Sequence, residues 1–119
     1  MSDSQLTLNL GEGSVSFRFT PEAARELKEA LDDLMQRLKA IAAFAAPGAG
    51  GGRPQPQQPM EYRHTGEVFL EIFCNPNIYP TPFSAKVLIT LRDDRIRIST
   101  EAELTRIRED IHEYLERVG

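Results

Sequence analysis

The segment "LTLNLGEGSVSFRFTPEAARELKEAL" (Leu6–Leu31) changes its hydrophobic period at Thr20, from two to about 3.6, and so reads as strand, turn, strand, helix. Leu6, Leu8 and Leu10 share one face of the first strand; Val15, Phe17 and Phe19 share one face of the second. Between them "GEGS" supplies glycines for a tight hairpin turn, where positive φ angles are needed. Thr20 suits an N-cap, Pro21 the first helical position, and Glu22 the positive end of the helix dipole. Ala24, Leu27, Leu31, Leu34, Leu38 and Ile41 then follow at spacings of 3, 4, 3, 4 and 3, one apolar stripe on a helix expected over 21–45.

Beyond it, residues 46–60, "APGAGGGRPQPQQPM", have no periodicity and little apolar mass; they read as a disordered or extended linker. "EVFLEIFC" follows as a strand, with Val68, Leu70 and Ile72 on one face and Phe69 and Phe73 on the other. Apolar groups on both faces fit a central strand or one covered twice. "AKVLITL" is the next strand, with Ala85, Val87, Ile89 and Leu91 on one side. "RDD" turns the chain, and "RIRIS" returns with Ile96 and Ile98 inward and Arg95 and Arg97 outward. A second helix is expected from Thr100, where Thr100 and Glu103 match a capping box; its stripe is Leu104, Ile107, Ile111, Tyr114 or Leu115, and Val118.

The two ends are alike: each reads as strand, tight turn, strand, capped helix. The likeness fits a duplication, and equally two uses of a common ββα pattern. The expected fold is α+β: a ββα half (1–45), a flexible Gly/Pro/Gln-rich linker (46–60) and a βββα half (61–119) in a single domain. The simplest burial puts both helices on the apolar face of one largely antiparallel sheet. At 1.5 Å per residue the first helix is roughly 37 Å long, against about 20 Å for a six-residue strand. Either its end projects past the sheet, where Ile41 and Phe44 need cover, or it stops near Lys39. A projecting end with this spacing suits pairing with another helix, including a second copy of itself.

Composition sets limits on function. A chain of 119 residues with net charge -4 is one domain. Residues 1–45 carry five basic and seven acidic side chains, residues 46–60 one arginine, and residues 61–119 eight basic and eleven acidic. Without a basic cluster, nucleic acid is not an expected partner. The single cysteine cannot form an internal disulfide, and one Cys with two His cannot fill a four-ligand zinc site. No metal or other cofactor is expected, and a reducing, cytoplasmic compartment fits. "MSDSQLTLNLGEG" lacks the regions of a signal peptide, and no apolar run approaches the roughly 20 residues of a membrane span.

The densest local signal is "CNPNIYPTPF" (Cys74–Phe83). Asn75 and Asn77 are turn formers, and Pro76, Pro80 and Pro82 stiffen the backbone. A stiff loop loses little conformational entropy when a partner binds. It offers Asn77, Ile78, Tyr79 and Phe83 as contact residues, with Tyr79 expected at the surface. Against this, Ile78 and Phe83 could fold back as a lid on the sheet edge, and that is the expectation for Phe83. Cys74 sits on the face of Val68, Leu70 and Ile72, so it reads as a buried, inert thiol. His64 and His112 read as surface or boundary residues, and "GAGGG" lacks the strand and helix of a phosphate loop. No catalytic constellation emerges, and an enzyme is not expected. Arg18, Arg92, Arg95 and Arg97 would form a small anion-attracting patch if their strands are neighbours; the alternative is a solvated face neutralised by Glu71, Asp93 and Asp94.

The stretch "CNPNIYPTPFSAKVLITLRDDRIRISTEAELTRIREDI" resembles a group of small uncharacterised proteins of cyanobacteria, which share the "CNPN…PF" segment, the strand hairpin and the "TEAEL" helix start. The likeness covers about the last half of the chain. It implies a cytoplasmic protein of a photosynthetic bacterium, in an accessory or assembly role, and carries over no active site. The expectation is a non-enzymatic adaptor that binds another protein through loop 74–83, with the end of the first helix as a second or homodimeric surface. The alternative is a small regulator binding a phosphorylated metabolite or acidic partner at Arg92, Arg95 and Arg97.

Overall fold

The computed structural model describes residues 4–45 and 56–119, with the side chains of all of these except Phe44 and Ala45. The fold is α+β. Strands β1 (Gln5–Leu10) and β2 (Gly13–Arg18) lead into helix α1 (Pro21–Ala45). Strands β3 (Met60–Thr65), β4 (Phe69–Cys74), β5 (Lys86–Arg92) and β6 (Arg97–Glu103) then precede helix α2 (Leu104–Val118).

The strands divide into two antiparallel sheets, a β1–β2 hairpin and a four-stranded sheet in the order β3-β4-β5-β6. This differs from a single sheet, and one interaction accounts for the break. β1 lies beside β6, but the two share one long backbone bond, from the Gly11 amide to the Glu101 carbonyl at 3.4 Å. The Asn9 amide, which a continuous ladder would direct to a neighbouring strand, instead donates to the Asp110 carboxylate on α2 at 2.7 Å. The hairpin turn is two residues long, and Gly13 just after it has φ +106°, a conformation open chiefly to glycine.

β3 was not foreseen. Its first residue, Met60, falls within the expected linker, of which residues 46–55 lie outside the described part. Met60, Tyr62 and His64 alternate inward against Glu61, Arg63 and Thr65 outward. β3 pairs with β4 from Met60–Cys74 to Thr65–Phe69. The new strand places β4 inside the sheet, as its two apolar faces require.

The second helix begins later than expected. β6 continues through Glu103 because Ala102 is buried opposite Val87 and Glu103 pairs with Lys86. Thr100 therefore lies in a strand opposite Ile89, and the helix-capping role read for Thr100 and Glu103 does not form; Glu103 makes no side-chain cap bond. At the other helix Thr20 does cap, its hydroxyl accepting from the Ala23 amide at 3.1 Å.

One core joins the two halves. Leu27, Leu31, Leu34 and Leu38 of α1 and Leu104, Ile107, Ile111 and Tyr114 of α2 meet Leu70, Ile72, Val87 and Ile89 of the sheet. Leu6, Leu8, Phe17 and Phe19 close it from the hairpin side. Tyr114, not Leu115, completes the α2 stripe, and its hydroxyl donates to the Phe19 carbonyl at 2.7 Å. The Tyr62 hydroxyl donates to the Ala23 carbonyl at 3.2 Å, and burial pushes its pKa up to about 12. Both helices thus cover one face of the four-stranded sheet.

Candidate docking surface

Loop 75–84 is built from two single 3-10 turns, Pro76–Ile78 and Pro82–Ser84, each begun by a proline whose missing N–H costs nothing at a helix start. The Asn75 side chain accepts from the Asn77 amide at 3.1 Å. Thr81 and Ser84 form a reciprocal capping box, with Ser84 N–H donating to Thr81 Oγ1 at 3.3 Å. Both turns rest on the helices. Pro76 is buried, which anchors the loop from beneath.

Ile78 is 66% exposed and Phe83 is 83% exposed. Phe83 is therefore no lid on the sheet edge. The Thr81–Ser84 box winds the chain so that Ala85 takes the buried position and Phe83 the outer side of the turn. Tyr79 is half-buried against the core, and burial raises its pKa. It braces the loop more than it displays itself. Asn77 is exposed but occupied. Its amide group donates to the Gln57 carbonyl at 2.7 Å, and its carbonyl accepts from the Gln57 amide at 2.8 Å. Arg37 of α1 donates to the Gln58 carbonyl at 2.9 Å, so the chain entering β3 is held from two sides.

At the end of α1 the buried stripe stops at Leu38. Ile41 is half-buried, and the Phe44 side chain lies outside the described residues. The helix does continue to Ala45, so it does not stop near Lys39.

The four arginines are only partly gathered. Arg92 and Arg97 are cross-strand partners in β5 and β6. The Arg92 guanidinium lies over the Phe69 ring at 4.4 Å. Arg18 faces Glu67 at 3.7 Å across exposed surface. Arg95 and Ile96 lie in the turn between β5 and β6, where both amides donate to Asp93 Oδ1 at 2.8 Å. Ile96, expected inward, is 61% exposed because β6 begins only at Arg97.

Cys74 is buried, and burial pushes its thiol up to about 11, so it is protonated at neutral pH. A cleft of about 510 Å³ between the helices is lined by Lys28, Leu31, Asp32, Arg108 and Ile111. Within it Asp32 accepts from Lys28 at 2.9 Å and from Arg108 at 3.0 Å, and these donors hold its pKa down. Among the described residues, no group of three or more His, Cys, Asp or Glu side chains is placed to hold a metal ion, and no helix is long and apolar enough to cross a membrane.

The outer face of the four-stranded sheet carries the second apolar side of β4 that the sequence shows at Phe69 and Phe73. Phe69, Glu71 and Phe73 of β4 share it with Leu88 and Arg92 of β5, and Leu88 is 42% exposed. Alternation within β4 shows Phe69 and Phe73 on this face; Leu88 and Arg92 join them through the β4–β5 register. Comparison with protein-family models, with curated proteins and with solved structures finds no match to this chain.

Proposed function

We propose that this protein is a non-enzymatic binding module, an adaptor or assembly factor, that docks a partner protein through loop 74–83. The carrying observation is the pairing of two exposed apolar anchors, Ile78 and Phe83, with a backbone already fixed by capped turns. Large apolar side chains on a rigid loop gain contact area on binding without the entropy loss of ordering a flexible one. A cytoplasmic setting fits the single reduced cysteine, and the resemblance of the last half to small cyanobacterial proteins supports an accessory role. The pairing of Asp32 with Lys28 and Arg108 in the interhelical cleft and the buried, protonated Cys74 lend no support to catalysis.

The test is affinity capture from native extract with the wild type and with an Ile78→Ala, Phe83→Ala double variant. Both side chains are largely exposed, so the variant is expected to keep its melting temperature within a few degrees. A discrete partner retained by the wild type and lost by the variant is the expected result. Equal capture by both proteins would remove the loop from the binding surface.

A further inference from the structure

Hydrogen-bond parity decides what each sheet edge offers. Along a strand paired on one side, alternate residues turn both N–H and C=O to the partner and the others turn them away. The Phe19 amide donates to the Ser4 carbonyl at 3.0 Å, so the odd-numbered residues of β2 face β1, and Ser14, Ser16 and Arg18 face away. On β1 the residues facing away include Gln5, Asn9 and Gly11, and the chain itself meets them. The Gln5 carbonyl accepts from Arg117 at 2.7 Å, the Asn9 amide donates to Asp110, and the Gly11 amide donates to the Glu101 carbonyl. That last bond sets the parity of the four-stranded sheet, whose registers turn Glu61, Arg63 and Thr65 outward on β3; the Gly66 amide bond to the Val68 carbonyl agrees. The β3 edge is guarded by charged side chains and by Arg37, which donates to the Pro59 carbonyl just before it. β2 has no such closure: among the described residues, no group bonds the outward amides and carbonyls of Ser14, Ser16 and Arg18.

An apolar groove of about 170 Å³ adjoins this edge, lined by Val15, Phe17, Val68, Leu91, Ile96 and Ile98, with Ser16 on its rim. It compares with the roughly 150 Å³ in which an apolar cavity holds benzene, so it has room for an aliphatic side chain. A strand paired antiparallel with β2 sets the side chains opposite Val15 and Phe17 on the face those two share, over the groove. The same strand would cover Ile96, which is 61% exposed. The Arg18 end of the edge is basic. Arg18, Arg92, Arg95 and Arg97 outnumber Glu67, Asp93 and Asp94 there. Arg18 faces Glu67 at 3.7 Å across exposed surface, the Arg92 guanidinium lies on the Phe69 ring, and Asp93 Oδ1 is taken by the Arg95 and Ile96 amides.

We infer that the β2 edge is a docking site, separate from loop 74–83, for an extended segment of a partner protein that joins the hairpin as a third, antiparallel strand. The edge sets the chemistry of that segment position by position. A carboxylate stands opposite Arg18, aliphatic side chains stand opposite Phe17 and Val15 over the groove, and small polar side chains stand opposite Ser16 and Ser14. From its N-terminus such a segment reads Glu-Val-Thr-Val-Thr. Its first, third and fifth residues exchange backbone bonds with Arg18, Ser16 and Ser14. A second copy of β2 fits less well, because its Val15 and Phe17 are packed in that copy's own core and cannot enter the groove.

Fluorescence anisotropy with the full chain and the peptide acetyl-Glu-Val-Thr-Val-Thr, labelled at its C-terminus, tests this. Saturable binding with a Kd below about 1 mM is expected. N-methylation of the central Thr removes an amide that faces β2 and is expected to weaken binding about tenfold or more; N-methylation of the second Val, whose amide faces away, leaves it within about threefold. The reversed peptide, Thr-Val-Thr-Val-Glu, moves the carboxylate from Arg18 to Ser14 and is expected to bind severalfold more weakly. Ile96→Glu, at the groove, is expected to weaken binding about tenfold or more. Ser16→Pro deletes an outward amide without touching the β1–β2 ladder, and should do the same while the melting temperature stays within a few degrees. Absence of binding at about millimolar peptide overturns the inference. So does equal binding of the two methylated peptides, since no ladder then forms. A wild-type dimer in sedimentation that Ser16→Pro dissociates also overturns it, and gives the edge to a second copy. The Ile78→Ala, Phe83→Ala variant keeps the peptide, so failure here is separable from failure of the docking loop.

Discussion

Asp110 holds the hairpin to the rest of the molecule, and its removal has a calculable effect. The residue is 5% exposed on α2. Its carboxylate accepts from the Asn9 amide and from Asn9 Nδ2, both at 2.7 Å, and faces Arg106 Nε at 3.7 Å. Hydrogen bonds to a charged group contribute about 1.5–3 kcal/mol each, and an orphaned buried amide costs about 1–3 kcal/mol. Asp110→Ala is therefore expected to destabilise the protein by about 3 kcal/mol. At roughly 2 cal/mol/K of unfolding entropy per residue, that lowers the melting temperature by about 12 °C. Asp110→Asn keeps one acceptor but turns a donor towards one of the Asn9 donors, so it is expected to show more than half of that loss. The assay is urea unfolding of both variants, with Asn9→Ala and the double variant completing a cycle. A coupling energy of at least about 1 kcal/mol between Asn9 and Asp110 is expected. Hydrogen exchange should show the β1–β2 amides opening first. An Asp110→Ala loss below about 0.5 kcal/mol would mean that apolar packing alone seats the hairpin, and would refute the reasoning.

Gly13→Ala should cost about 1 kcal/mol or more by thermal unfolding, from φ alone, because a Cβ there meets no atom within 4 Å. Raised pKa values make the fold sensitive to alkali. Cys74, ordinarily 9.0, rises to about 11, and Tyr62, ordinarily 10.0, to about 12, both through burial. A raised folded pKa gives stability that is complete below the unfolded value and lost as pH climbs through the folded one. Unfolding free energy should therefore fall between about pH 9 and 12, and a Cys74→Ala, Tyr62→Phe variant should show a flatter fall over that window in a pH series of urea titrations.

The first half of the chain was legible because three independent signals agree there. Period-two alternation, a glycine turn and a Thr-Pro-Glu helix start leave one arrangement for residues 6–31, and that arrangement is present. The capping motif at Thr100 shows the opposite case. The same residue types mark a helix start and suit an exposed strand edge, and burial of Ala102 opposite Val87 decided for the strand. Local chemistry at Thr100 could not report its strand partner Ile89, eleven residues away in sequence. β3 was hidden by its neighbourhood: Met60–Thr65 alternates plainly, but it follows a run of glycine, proline and glutamine that dominates any window placed on it. Phe83 was misplaced because hydrophobicity argues for burial, whereas the Thr81–Ser84 hydrogen bonds, which fix its direction, are visible only in three dimensions. Phe69 and Phe73 were legible as one face of their strand, but which residues neighbour them across the sheet needed registers that no single segment holds.

β6 passes into α2 with no intervening loop: Glu103 ends the strand, Leu104 begins the helix, and the Leu104 amide donates to the Ala85 carbonyl at 3.0 Å. The pairing phase of the strand and the rotational phase of the helix are thereby locked together. Sliding β6 by one residue would turn Ala102 to the wrong face, and would also rotate the Leu104, Ile107, Ile111 and Tyr114 stripe by about 100° away from the core. Two recognition patterns of different period thus verify each other at one peptide bond. A single inserted residue there, which a surface turn would absorb, has nowhere to hide.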